Sequence, residues 1–340
     1  MNVVSLFNGM NTGRQALENV GIKVNKYYSS EIKPYAIELT QHHFPDTIQV
    51  GDVTKWKEWD IDWKSIDLIL SGSPCQDLSA AGKRAGINGK KSSLFFVFVE
   101  ILEHVKSLNA NVLFLQENVG SASKLDVGIM SRALGVYPAR FNSSKVVAQM
   151  RDRYYWTNIK TKETMFDIIV DIPEPKDRKI YLKDILENGY SEKNKSMCLL
   201  ESNSRPLKTP SKMARRYFEI GMANLIFKDE QTYLRVKEAT AIGFVDIAEN
   251  EAVDLSYPSS KTRRGRSMKE KSNCLLRNNE YFVFQDNDIR YFSQTELERL
   301  QGFEDGYTSI LTRNQAACLL GDGWTLPIIE HIFSFIYNKL

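Results

Sequence analysis

The run Ile66-Asp67-Leu68-Ile69-Leu70, stopped by Gly72 and Pro74, constrains this chain more than any other stretch. A short apolar run bounded by such breakers predicts a buried strand, and the break sets Cys75 on a loop at its carboxyl end. The pattern recurs along the first half. Residues 2–6 predict a strand, the glycine-bearing turn Phe7 to Gly13 follows, and residues 14–19 predict a helix. A strand over 26–29 leads to a helix over 34–43, and residues 47–50 predict a further extended segment. Residues 94–108 place Leu94, Phe98, Ile101, Leu102, Val105 and Leu108 near helical spacing, which predicts a core-facing helix. A strand over 111–119 and a helix over 124–134 follow, then a strand pair over 144–148 and 154–159. Strands alternating with helices predict an α/β fold with a parallel sheet, and in such sheets ligands collect at the strands' carboxyl ends.

Chemistry-bearing residues stand at those ends. A thiolate is a strong nucleophile at neutral pH, and a rigid Ser-Pro-Cys turn holds Cys75 in place, although an unpaired cysteine can also simply pack. Glu117 ends the strand expected beside the one that leads to Cys75, so a nucleophile and an acid face one crevice. Glu31 follows the second extended segment, where a carboxylate suits ribose hydroxyls, and Asp52 follows the third. Gln149-Met150-Arg151-Asp152-Arg153 lies between the paired strands, with Arg151 and Arg153 expected on one face to hold a phosphate and a base.

Composition narrows the partners less than charge placement does. The 45 Lys and Arg against 42 Asp and Glu leave a net charge of +3, too weak to require a polyanion. Residues 205–216, however, hold Arg205, Lys208, Lys212, Arg215 and Arg216 with no acid, and residues 261–271 hold Lys261, Arg263, Arg264, Arg266, Lys269 and Lys271 against Glu270 alone. Such runs fit a phosphate-gripping surface. Cys75, Cys198, Cys274 and Cys318 are scattered, which argues against disulfides or a zinc site and suits a reducing cytoplasm. His42, His43, His104 and His331 read as structural. No basic leader and no membrane-length apolar run is present in the sequence.

Pro74-Cys75-Gln76 and Glu117-Asn118-Val119 resemble the Pro-Cys and Glu-Asn-Val motifs of DNA cytosine-5 methyltransferases. Residues 72–79 with Ser93-Leu94-Phe95-Phe96 are similar in detail to the mammalian de novo enzymes. The resemblance continues through the Gln-x-Arg-x-Arg run and through Lys271-Ser272-Asn273-Cys274-Leu275, Arg299-Leu300-Gln301-Gly302-Phe303 and Leu320-Gly321-Asp322-Gly323-Trp324. It implies a Rossmann-like S-adenosylmethionine-dependent fold with a smaller target-recognition domain. Residues 1–160 would form the catalytic domain, 161–270 the recognition region, and 271–340 a return whose last helix, over 328–337, completes the cofactor pocket.

The implied roles are specific. Cys75, Glu117, Arg151 and Arg153 would be catalytic. Phe7, Gly9, Asn11, Thr12, Gly13, Glu31, Asp52, Val53, Leu94, Asp322, Gly323 and Trp324 would hold S-adenosylmethionine. Asn11 stands where the family's second loop glycine is usual, and Asp322 where Asn is usual. Ser79, Lys83, Arg84 and Lys90, from a Gly-rich loop expected to close over DNA, join Arg215, Arg216, Arg263, Arg264 and Arg266 as DNA contacts. Double-stranded DNA is the implied partner, bound by a cytoplasmic monomer of restriction-modification type that needs no metal. A transfer-RNA cytosine methyltransferase and a catalytically silent DNA-binding homologue are the alternatives, and intact Cys75, Glu117, Arg151 and Arg153 speak against the second.

Overall fold

The computed structural model describes residues 1–74, 94–189, 194–196, 233–248, 251–254, 260–262, 266–268, 271–273, 281–285 and 288–338. The chain divides into two compact units. One holds residues 1–141, 152–174 and 328–340, the other residues 142–151 and 175–327.

The first unit is built on a mostly parallel sheet. Its strands are β1 (Asn2–Leu6), β2 (Lys26–Ser30), β3 (Ile48–Gln49), β4 (Leu68–Ser71), β5 (Leu113–Val119) and β6 (Ala139–Asn142), followed after β7 (Gln149–Met150) by β8 (Asp152–Thr157). The order across the sheet is β3-β2-β1-β4-β5-β8-β6. The pairs β1–β2, β1–β4, β2–β3 and β4–β5 are parallel, while β8 runs antiparallel to β5. The order reverses direction between β1 and β4, and that switch point is where an α/β sheet opens a crevice.

Burial explains why these runs are strands. Val3, Val4, Leu68, Ile69, Leu70 and Leu115 are fully buried, each stabilising the fold by about 1.5–3 kcal/mol. Four helices cover this sheet's sequence: α1 (Thr12–Asn19), α2 (Pro34–His43), α3 (Leu94–Leu108) and α4 (Lys124–Leu134). Pro34 opens α2, where its missing N–H costs nothing. Ser123 caps α4 by accepting from the Asp126 N–H, and left-handed Gly135 ends it. On α3 Phe98, Ile101, Leu102 and Val105 of the expected stripe are buried together with Phe95, while Leu94 is half-buried and Leu108 is exposed where the chain leaves the helix.

In the second unit β7 pairs with Lys195–Ser196 and Lys271–Asn273 in a small closed set. Helices α5 (Gln294–Gln301) and α6 (Arg313–Asp322) each begin with a capping box, Ser293 with Glu296 and Thr312 with Gln315. Helix α7 spans Leu326–Phe333.

Two expectations need correction. Residues 144–148 are not a strand: Asn142 Oδ1 accepts from the Ser144 N–H as a cap, and a short 3-10 turn over Ser143–Lys145 bends the chain. Val146, Val147 and Ala148 are buried all the same, so the apolar run marked core without marking extension. The last helix stops at Phe333 instead of 337. The Ser334 hydroxyl donates to the His331 carbonyl, the local bonding by which serine competes with helix, and a 3-10 turn over Ile336–Asn338 follows.

Candidate active site

At the carboxyl end of β1 the backbone leaves ordinary conformational space. Phe7, Gly9 and Asn11 all have positive φ, +56°, +57° and +63°. A phenylalanine held there costs on the order of 1–2 kcal/mol, a strain of the kind that collects at ligand sites. Neighbouring strand ends hold the turn. Asn8 N–H donates to the Ser30 carbonyl, and Gly9 N–H donates to Glu31 Oε2 at 2.8 Å. Glu31 Oε1 accepts from the N–H groups of Ile32 and Lys33 at 2.8 and 2.9 Å. Behind the turn, the buried Tyr27 hydroxyl donates to Asn8 Oδ1, and burial pushes that phenol well above its ordinary pKa.

Asp52 stands one strand further on. Its Oδ1 accepts from both the N–H and the hydroxyl of Thr54, each at 2.9 Å, and these bonds hold the carboxyl below its usual range. Its side chain is exposed, and Oδ2 makes no hydrogen bond among the described residues. A strained turn with two oriented carboxylates at successive strand ends fits a nucleoside: one acid suits vicinal hydroxyls, the other an amino group. The amide of Asn11 is fully buried and neither of its polar atoms has a hydrogen-bond partner. Sequence reasoning gave Asn11 as a cofactor contact standing where glycine is usual. Its left-handed φ explains the choice, since asparagine tolerates that region better than most residues.

The other strand ends carry different chemistry. β4 and β5 run parallel with Ser71 opposite Gln116. Beyond them Gln116 Nε2 donates to Ser73 Oγ at 3.0 Å, and Asn118 Nδ2 does so at 3.5 Å. The segment entering the Pro-Cys turn is therefore tied to both residues flanking Glu117. Cys75, next in the chain after Pro74, lies outside the described residues.

Glu117 is only 8% exposed, and its Oε1 lies 2.7 Å from Arg153 Nε. The register accounts for the meeting. Val119 faces Arg153 and Glu117 faces Tyr155, so Glu117 and Arg153 are diagonal neighbours on one face.

A clamp that the sequence reading missed fixes this strand pair. Arg140 Nε donates to both Asp152 carboxylate oxygens at 3.0 Å, and its Nη2 donates to Asp152 and to the Gly120 carbonyl, the latter at 3.2 Å. The Arg140 guanidinium also lies 5.2 Å from the Tyr154 ring centroid. The Gly120 N–H donates to the Asp152 carbonyl, and a Cβ on Gly120 would stand 2.6 Å from the Asp152 carboxylate. Only glycine leaves room there. The available signal was a glycine directly after Glu-Asn-Val.

Arg151 does not share a strand with Arg153. It falls in the break between β7 and β8, so strand alternation does not set its face. It is buried within the second unit, where its Nη1 donates to the Gly321 carbonyl at 3.2 Å. In that unit Asp322 ends α6 exposed, and Gly323 and Trp324 are half-buried. In the first unit Thr12 and Gly13 open α1 buried, Val53 is buried after Asp52, and Leu94 begins α3 half-buried. Among the expected DNA contacts, Arg266 is half-buried and donates to the Thr262 carbonyl at 3.3 Å. Ser79, Lys83, Arg84, Lys90, Arg215, Arg216, Arg263 and Arg264 lie outside the described residues. Among the described residues no His, Cys, Asp and Glu cluster could hold a metal, and no helix is long and apolar enough to cross a membrane.

The model of the C-5 cytosine-specific DNA methylase family matches residues 1–338. The chain is similar to the Type II methyltransferase M1.ScrFI of Lactococcus lactis subsp. cremoris, 24% identical over 97% of this chain and 76% of that protein. It is 31% identical to the Type II methyltransferase M.NgoBV of Neisseria gonorrhoeae, over 55% of this chain and 46% of that one, so the match spans under half of that relative. Its fold is similar to that of the Entamoeba histolytica methyltransferase EhMeth, with a TM-score of 0.57 at 17% identity over 100% of this chain and 98% of that one.

Proposed function

Because the chain belongs to the C-5 cytosine-specific DNA methylase family, we propose that it methylates carbon 5 of a cytosine flipped out of duplex DNA. The observation that carries this reading is the buried Glu117–Arg153 pair, with Glu117 on a strand parallel to and in register with the one that runs into Pro74-Cys75. S-adenosylmethionine, when bound, supplies the methyl group. Glu31 suits its ribose and Asp52 its adenine amino group, with the strained Phe7 to Gly13 turn beside them. Asp322, Gly323 and Trp324 are the contacts proposed from the second unit.

Carbon 5 of cytosine is too weak a nucleophile to be methylated directly. In this mechanism the Cys75 thiolate adds to carbon 6, forming a sulfur–carbon bond while Glu117 delivers a proton at N3. The ring becomes enamine-like at carbon 5. After methylation, carbon 5 loses its proton to water, the Cys75 sulfur leaves as thiolate and N3 returns its proton to Glu117, which restores the aromatic ring and the enzyme. Arg153 orients Glu117, and Arg151 and Arg153 are each proposed as contacts to the phosphate or the base. Flipping costs a few kcal/mol, which backbone contacts offset.

Residues 161–270 are the proposed recognition region, with the basic residues around Arg215 and Arg263 gripping phosphates. The detail of residues 72–79 and 93–96 supports a further likeness to the mammalian de novo enzymes.

A trapped adduct tests the reading. Fluorine at carbon 5 cannot leave as a cation, so duplex DNA with 5-fluorocytosine at the target should stall the enzyme as a complex that survives denaturing electrophoresis. Bisulfite sequencing of DNA from an expressing host locates that target. The complex should vanish in Cys75→Ala. An adduct mapping by mass spectrometry to Cys198, Cys274 or Cys318 overturns the assignment, and an adduct with transfer RNA but none with duplex DNA overturns the substrate.

A further inference from the structure

Within the second unit, a ring of buried hydrogen bonds joins two segments far apart in sequence. Gln301, at the end of α5, is fully buried and uses both ends of its amide. Its Nε2 donates to the carbonyls of Leu320 and Gly323, the latter at 3.2 Å. Its Oε1 accepts from the Thr325 hydroxyl at 2.9 Å and from Gln149 Nε2 at 3.3 Å. Gln149 Nε2 also donates to the Leu300 carbonyl at 2.8 Å.

The ring closes on the far side. The Ser143 hydroxyl donates to Thr325 Oγ1 at 2.9 Å, the Ser143 N–H donates to the Arg151 carbonyl, and Arg151 Nη1 donates to the Gly321 carbonyl. Ser143, Gln149, Gln301 and Thr325 all have no exposed surface. The next residue, Gly302, has φ +79°, and a Cβ there would stand 2.4 Å from Pro327 and 3.3 Å from Val147. Both segments therefore pack closely against the end of α5.

We propose that Gln301 is a positioning residue that couples the Gly321 to Trp324 turn to Arg151, so that cofactor and DNA strengthen each other's binding. The inference rests on the reading above, which gives that turn to the cofactor and Arg151 to the nucleic acid. The physical basis is that a satisfied buried network has one good arrangement, and losing a member leaves polar groups stranded in low dielectric. A ligand that fixes the turn then fixes Arg151, and linkage makes the effect reciprocal. An apolar side chain at 301 would strand these groups and cost stability as well, so the coupling has to be read separately from the melting temperature. The two donors and two acceptors gathered there are what the coupling requires.

The test measures S-adenosylhomocysteine affinity by calorimetry, with and without a duplex carrying the cytosine mapped by bisulfite sequencing. Wild-type protein should bind the cofactor product about tenfold more tightly with the duplex, within the usual range of coupling. Gln301→Met, close in shape but without the amide, should bring that ratio near one. Thr325→Val, a smaller change for use where Gln301→Met does not fold, should reduce it partway. Leu297→Ala, which opens a core cavity on the same helix outside the ring, should lower the melting temperature and keep the ratio. Full coupling in folded Gln301→Met, or in Thr325→Val where Gln301→Met does not fold, overturns the inference. So does a wild-type ratio of one. A wild type that binds no S-adenosylhomocysteine overturns the proposed function itself.

Discussion

Two acidic strand ends of one sheet are built in opposite ways. At the β2 end, Glu31 is half-exposed and all its described partners are backbone N–H groups, those of Gly9, Ile32 and Lys33. At the β5 end, Glu117 is buried against a guanidinium 2.7 Å away, with a second ion pair, Arg140 to Asp152, bracing the partner strand. Backbone dipoles orient a carboxylate while leaving lone pairs for neutral hydroxyls. A buried charge needs a countercharge, and it keeps an acid dry and aimed at one atom. Under the proposed function the first construction suits holding hydroxyls, and the second suits fixing the Glu117 carboxyl against one atom of the base. The sheet offers the same strand-end geometry to both, so the immediate partners make the difference.

That contrast can be broken by exchanging readouts. Glu117→Gln should slow adduct formation on 5-fluorocytosine duplex by about 10²–10⁴, the usual worth of a general acid, with cofactor affinity nearly unchanged. Glu31→Ala should do the reverse, weakening cofactor binding by roughly 1.5–3 kcal/mol and leaving the adduct rate at saturating cofactor close to wild type. Calorimetry and single-turnover kinetics on both variants decide it. Both readouts moving together in either variant would mean that the two ends are not separate devices.

A smaller change sharpens the comparison at the Glu117 end alone. Gly120→Ala drives a methyl into the Asp152 carboxylate, and overpacking of this kind costs about 1–3 kcal/mol. The strain falls on the strand carrying Arg153, so the adduct rate should fall while the Glu31 end keeps its cofactor affinity. Melting curves with the same two assays follow it. Asp152→Ala in the same background should recover part of the rate, because the clashing carboxylate is gone and only the backbone carbonyl at 2.8 Å remains.

Much of this was legible in the chain, and the limits have physical causes. The strands through Glu117 were readable because parallel strands buried on both faces are nearly continuous apolar runs, and the break at Gly72 and Pro74 marks the strand end. Register was not readable, so nothing announced that Glu117 would meet Arg153 diagonally or that Arg140 would reach Asp152 across twelve residues. Residues 144–148 failed because burial and extension leave the same apolar signature, and only the Asn142 cap decided between them. The ring through Gln301 was invisible for a related reason: buried glutamines and threonines read as surface residues until tertiary contacts are known.

The smallest expected effect concerns Asp52, which has features of both constructions. Its Oδ1 is taken by Thr54, as a cap, while its exposure leaves Oδ2 for a ligand. Asp52→Ala should lose the cap, about 1 kcal/mol, whereas Asp52→Asn should keep it, since asparagine caps nearly as well. The cap's contribution should also depend on pH in a fixed direction. The folded carboxyl sits below its ordinary value because of the Thr54 bonds, so its stabilisation is complete above the unfolded pKa and is lost as pH falls through the depressed folded one. Melting temperatures of wild type and Asp52→Ala should therefore differ at neutral pH and converge in acid, while Asp52→Asn stays close to Ala's pH-independence and close to wild type's neutral stability. Cofactor affinity separates the remaining role. If Oδ2 receives an amino group, Asp52→Asn weakens binding without a change in melting temperature. If Asp52 is only a cap, Asp52→Asn binds as wild type does, and the second acid leaves the cofactor site.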